Sequence, residues 1–200
     1  QYLDSLNTER MYFSFKNENS KMLYIFLNEY DIDSTDVTNP VFSTEQLNWL
    51  CNELKNANGY DICIFNHRPI IGTLLSDTPI ITNREKIQDI LNAFAHRISY
   101  NDNDFSSCSG RIVGIFTGHY HGDAMNSSLF YQSSIVNALA SKDNYTQGKA
   151  EIYDRTLGTT TEIAFDVVII GKDTGKVNYI RFGAGNDRNF TMVDIENETK

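Results

Sequence analysis

Two short apolar runs, residues 61–66 and 111–117, flank the clearest periodic stretch in the chain, and this arrangement restricts the fold more than any other feature. In the stretch between them Ile87, Ile90, Leu91, Phe94, Ala95 and Ile98 fall on one helical stripe, which predicts a helix over 83–99. Short apolar runs of this kind are typical of strands covered on both faces of a parallel sheet. A strand, a crossover helix and a second strand in the same sheet form a right-handed unit with the strands parallel. Both strands then end at the same rim, where open α/β sheets bind their ligands.

Residues 11–16 and 22–28 read as a β-hairpin about the polar turn Asn17, Glu18, Asn19, Ser20. Ser43 and Gln46 have capping-box spacing, and Leu47, Leu50, Cys51 and Leu54 follow at helical period. A helix is therefore predicted over 43–57, stopped by Gly59. From about residue 124 the pattern turns to β, with runs at 129–132, 150–156, 162–170 and 176–182. The clearest turn among them is Asp173, Thr174, Gly175. The expectation is a single domain over 1–200, with an α/β part over 1–123 and a β-rich part over 124–200.

A chain of 200 residues can bury a core without disulfides. Its apolar runs are broken well before the eighteen or so residues of a membrane span, so no membrane partner is expected. The formal net charge is −9 and the 17 Lys and Arg residues are dispersed, which argues against a nucleic-acid partner. Cys51, Cys63 and Cys108 are an odd set with no CxxC spacing and read as free thiols. Free thiols mildly favour a reducing compartment such as the cytoplasm.

The histidines give the rim a chemistry. His67 follows the first strand and His119 follows the second by one glycine, so both imidazoles leave the sheet at the same edge. Residues two apart on extended backbone face the same side, which lets His121 approach with His119. Gly118 and Gly122 permit a tight backbone path around the pair. His96 lies half a helical turn from the apolar stripe and should face solvent, so it is assigned no role. Three imidazoles without cysteine suit an open, catalytic transition-metal centre better than a closed structural zinc site. Such a centre polarises a phosphoryl oxygen and lowers the pKa of bound water to near neutral. Asp123 is the nearby acid in the loop, expected to be solvated or to support the ligands from behind rather than bind metal directly.

The run Asn66, His67, Arg68, Pro69 and the run Gly118, His119, Tyr120, His121 resemble the last two metal motifs of the calcineurin-like metallophosphoesterases. Residues 46–50, with Trp49, look like the helix that precedes the first of these, and the tail 181–188 is similar to the end of a bacterial and phage subgroup. The resemblance covers most of the chain. It implies the second half of a four-layer αββα sandwich with mixed sheets, and hydrolysis of a phosphomonoester or phosphodiester at a two-metal centre holding Mn, Fe or Zn. By position, His67 and His119 would ligate one ion and His121 the other. Arg68 and Tyr120 are candidate substrate neighbours, the alternatives being a surface ion-pair partner for Arg68 and a packing residue for Tyr120. The family's earlier motifs, which carry the bridging aspartate and the leaving-group histidine, have no counterpart here. The chain is therefore expected to be the later half of such an enzyme, with no residue assigned to direct catalysis. It would be inactive alone, and its open sheet edge would pair with the missing half or with a second copy. The alternative is a non-catalytic binding or interaction domain that keeps the fold.

Overall fold

The computed structural model describes residues 11–31, 40–70, 81–119, 123–126, 132–134, 153 and 156–192. The chain opens with the expected hairpin, β1 (Phe13–Asn17) and β2 (Met22–Phe26), paired antiparallel. Its turn forms because the Asn17 side-chain carbonyl accepts the N–H groups of Asn19 and Ser20.

Helix α1 (Thr44–Lys55) starts where the capping spacing placed it: the Ser43 hydroxyl accepts the Gln46 N–H at 3.0 Å. Gln46 does not complete the box by returning to the cap. Its buried amide accepts the Asn28 N–H and donates to the Asn28 carbonyl, each at 2.8 Å, tying the helix start to the segment after β2. Gly59, at φ 77°, turns the chain into β3 (Asp61–Phe65), which pairs in parallel with β2.

Helix α2 (Arg84–Ala95) carries the predicted stripe but stops earlier than residue 99. Arg97 adopts φ 56°, and the N–H groups of Arg97 and Ile98 bond back to the carbonyls of Phe94 and Ala93 at 3.2 and 3.0 Å. That is the double bond pattern of a Schellman ending, with arginine where glycine is usual. The Arg97 guanidinium offsets the conformational cost by donating to the carbonyls of Phe94 and Gly110. Ile98 is consequently thrown outward, 54% exposed.

A small hairpin of β4 (Ser99–Tyr100) and β5 (Asn103–Asp104) leads to β6 (Arg111–Thr117), which lies parallel to β3 as the crossover rule requires. The segments β7 (Ala124–Asn126) and β8 (Gln132–Ser134) complete a sheet of order β1-β2-β3-β6-β8-β7. A second, antiparallel sheet contains β9 (Ala164–Gly171), β10 (Lys176–Gly183) and β11 (Arg188–Thr191). The expected runs at 162–170 and 176–182 thus form a hairpin, while β7 and β11 carried too little pattern to be anticipated. Most of 129–132 and 150–156 lies outside the described residues.

The layers follow from the two faces of the central strands. Ile62, Ile64 and Ile112 face Leu50, Leu54, Ile90 and Phe94 of the helices. Cys63, Val113 and Phe116 face Val177, Tyr179 and Phe190 of the second sheet. The described residues therefore stack as helices, mixed sheet and antiparallel sheet. The outer side of strand β9 is apolar, with Phe165, Val167 and Ile169 about half exposed, while its inner side carries Asp166 among apolar residues. All three cysteines are free and buried, and burial pushes the Cys63 and Cys51 thiols up to about 12 and about 11. No helix among the described residues is long and apolar enough to cross a membrane.

The amino-terminal rim of the central strands is occupied by ion pairing. Asp61, at the start of β3, accepts a two-pronged contact from Arg111 of β6 at 3.0 and 3.2 Å, with Lys172 at 3.5 Å. The carboxyl rim is built differently.

Candidate metal centre

Strands β3 and β6 run in parallel register to Phe65 opposite Phe116, and their hydrogen bonding continues past the strand ends. Asn66 N–H donates to the Phe116 carbonyl at 3.1 Å, and Gly118 N–H donates to the His67 carbonyl at 2.9 Å. The two histidine-bearing segments are thereby stitched together by backbone before any side chain contributes.

His67 is exposed and His119 half-buried, and their rings meet edge to face with centroids 5.1 Å apart. His119 Nδ1 lies 3.2 Å from His67 Nε2. A cation bound by both nitrogens at roughly 2.1 Å, with a bond angle between square and tetrahedral, would hold them about 3.0 to 3.4 Å apart. The observed separation, which is also that of a hydrogen bond between the two rings, is compatible with one shared transition-metal ion. His119 reaches this position with φ 72°, a left-handed conformation that histidine adopts more readily than branched residues. Among the described residues no third His, Cys, Asp or Glu joins the pair. His121 and Tyr120 lie outside the described residues, as does Gly122.

Below the imidazoles the rings of Phe26, Phe65 and Phe116 stack across β2, β3 and β6, with centroids 4.8 and 5.1 Å apart. They floor an open cavity of about 340 Å³ that is also lined by Asn66, His67, Thr117 and Gly118.

His67 is bracketed by a residue that sequence reasoning missed. Glu29 is only 2% exposed, and its Oε2 accepts from Asn66 Nδ2 at 2.7 Å and from the Arg68 N–H at 2.9 Å. One carboxylate oxygen thus grips the residues on both sides of His67. Burial pushes the Glu29 carboxyl above its usual range, opposed by the hydrogen bonds from Arg68 and Asn66. The only signal in the sequence was an acid three residues past the apolar end of β2, where a core-facing carboxylate needs a partner. Arg68, expected beside a substrate, is 8% exposed; its Nε lies 3.2 Å from Glu29 Oε1 without the alignment of a hydrogen bond, and its Nη2 donates to the Tyr30 hydroxyl. His96 caps α2 in the open, its ring near the Asn92 carbonyl, as its helical phase indicated.

Asp123 is not solvated. It is 3% exposed and paired with Arg181 of β10 and Arg188 of β11, which also hold Asp166 of β9. Burial works to lower the pKa of Arg181, but hydrogen bonds to Asp166 and Asp123 outweigh it and raise the value.

Among solved structures, a crystal structure of a dimetal phosphatase from Danio rerio superposes with a TM-score of 0.59 over 91% of this chain, at 14% identity. Over the superposed region the two chains share a fold. This chain spans 60% of the length of that phosphatase chain, and the identity is low enough that the likeness speaks for the fold alone. No family model matches the sequence. No curated protein matches it either.

Proposed function

We propose that this chain carries the histidine side of a metal-dependent phosphoesterase centre, within the metallophosphoesterase superfamily. The observation behind the reading is the 3.2 Å approach of two imidazole nitrogens delivered by parallel strands to one rim. His67 and His119 would bind one divalent ion, and His121, which the sequence sets beside them, a second. Mn, Fe and Zn all suit imidazole donors. When bound, such ions polarise a phosphoryl oxygen and supply hydroxide near neutral pH. The chain's own part is to aim the donors: Glu29 holds the Asn66 side-chain amide and the Arg68 N–H on either side of His67, and the Gly118 bond to His67 fixes the entry to the second loop. Tyr120 and Arg68 would flank a phosphomonoester or phosphodiester, Arg68 by releasing its contact with Tyr30.

Carboxylates from segments beyond the described residues would complete the two-metal centre, and a further helical layer would rest on the exposed apolar outer side of β9. The partial donor set among the described residues favours a second reading, a non-catalytic interaction domain that keeps the fold.

The test is to add Mn²⁺ to the purified protein and follow hydrolysis of a chromogenic phosphodiester. Metal-dependent turnover that falls at least a hundredfold in His119→Ala and His121→Ala supports the proposal. Turnover unchanged in both variants sinks it, and stoichiometric metal binding without turnover favours the interaction domain.

A further inference from the structure

The aromatic floor beside His67 belongs to a longer row. Phe13, Phe26, Phe65 and Phe116, one from each of the neighbouring strands β1, β2, β3 and β6, stand side by side with centroids 4.6, 4.8 and 5.1 Å apart and planes within 20° of parallel. The spacing is that of adjacent strands. Coplanar rings would collide at such distances, so these rings face one another and turn mainly their edges outward.

Packing within the core accounts for one end of this row. Phe116 is 6% exposed, with the Tyr179 ring of the second sheet 6.3 Å away. Phe26 and Phe65 are only half-buried, and the open cavity of about 340 Å³ lies against them. Its lining contains no Lys, Arg, Asp or Glu, and His67 is the one side chain there that can carry charge. Such a wall suits a neutral, largely apolar group. Gly118 keeps the step between floor and imidazole clear, since an added Cβ would already touch the His67 ring, 3.9 Å from Nδ1.

His67 joins the cavity to the candidate centre: it lines the one, and its Nε2 lies 3.2 Å from His119 Nδ1 in the other. A group resting on the phenylalanines is therefore one imidazole away from an ion shared by the pair. The edges of aromatic rings carry partial positive charge and prefer the negative face of another ring, the edge-to-face arrangement. A planar aromatic group laid across the row gains both burial and this contact. A saturated ring of similar size gains burial alone.

We infer that this cavity is a subsite for an aryl or heteroaryl group attached to the phosphoryl group at the ion, with the face of that group laid across the edges of Phe26 and Phe65. The inference rests on the phosphoesterase reading given above. It narrows the substrate class to phosphate esters with a neutral planar substituent, in preference to simple alkyl or charged ones.

The test measures dissociation constants by ligand-observed NMR on the full chain, with and without Zn²⁺, for phenylphosphonate, cyclohexylphosphonate and methylphosphonate. The parent should bind the phenyl probe at least tenfold tighter than the methyl one and at least threefold tighter than the cyclohexyl one. Phe26→Leu and Phe65→Leu should each bring the phenyl-to-methyl ratio to threefold or less. Phe15→Leu, on the same sheet face but outside the cavity, should leave it at the parent value. The comparison of probes in the parent stands even if a leucine variant fails to fold. Equal affinity for the three probes, no binding of phenylphosphonate, or a parental ratio in a folded leucine variant would overturn the subsite. Phenyl preference that persists while Zn²⁺ changes no affinity would sink the metal reading alone and leave the aromatic subsite standing.

Discussion

Replacing Glu29 probes how the first histidine is held. In Glu29→Ala the Arg68 N–H and guanidinium and the Asn66 amide lose a carboxylate that is 2% exposed, in a place water does not reach freely. Removing one partner of a buried ion pair costs about 3–5 kcal/mol, because the remaining charge and donors stay desolvated. Glu29→Gln keeps an acceptor and the shape but exchanges charge-assisted bonds for neutral ones, a loss of about 1–2 kcal/mol. In a chain of 200 residues each kcal/mol moves the melting temperature by about 2–4 °C. Glu29→Ala should therefore melt about 10 °C below the parent and Glu29→Gln about 4 °C below it. Urea unfolding followed by circular dichroism gives the free energies directly. A Glu29→Ala variant within 1 kcal/mol of the parent would refute the bracketing role, as would a glutamine variant as damaged as the alanine one.

Other outcomes follow from single observations. Ser43→Ala should cost about 1–2 kcal/mol in the same urea experiment, since the hydroxyl caps α1 and also donates to Asp31. Gly183→Ala should cost about 3 kcal/mol or prevent folding, because φ is +93° and a Cβ would lie 1.9 Å from the Ile163 carbonyl oxygen, which accepts the Ala184 N–H. Cys63 gives a pH dependence. Its folded pKa, about 12, lies above the unfolded value, so stability should fall as pH rises from about 9 toward 12, where the unfolded thiol ionises and the folded one does not. Cys63→Ala should show a shallower alkaline decline than the parent in melts taken between pH 8 and 11.

The parts of the fold that were legible in the sequence are those set by local pattern. The stripe on α2, the Ser43 cap and the apolar runs of β3 and β6 depend on neighbours within a few residues, and the parallel pairing of the two strands follows from chain handedness. That sufficed to bring His67 and His119 together. Parts that depend on distant partners were not legible. Glu29 gains its meaning from Asn66 and Arg68 across the sheet, and Asp123, Asp166, Arg181 and Arg188 are ordinary surface-type residues until tertiary packing buries them as a set. The early end of α2 was hidden because Arg97 occupies a left-handed position where a reader expects glycine, and side-chain bonds to two carbonyls make that possible. Strands β7 and β11 are held by their partners and too short to show a period.

The central claim is that His67 and His119 share a single cation. A Co²⁺ titration of the untagged chain, read by ligand-field absorbance, compares the parent with His67→Ala, His119→Ala and His96→Ala. The account predicts a saturable band in the parent and in His96→Ala, and its loss to the same extent in the other two variants. A band of parental intensity and affinity in either His67→Ala or His119→Ala would contradict it.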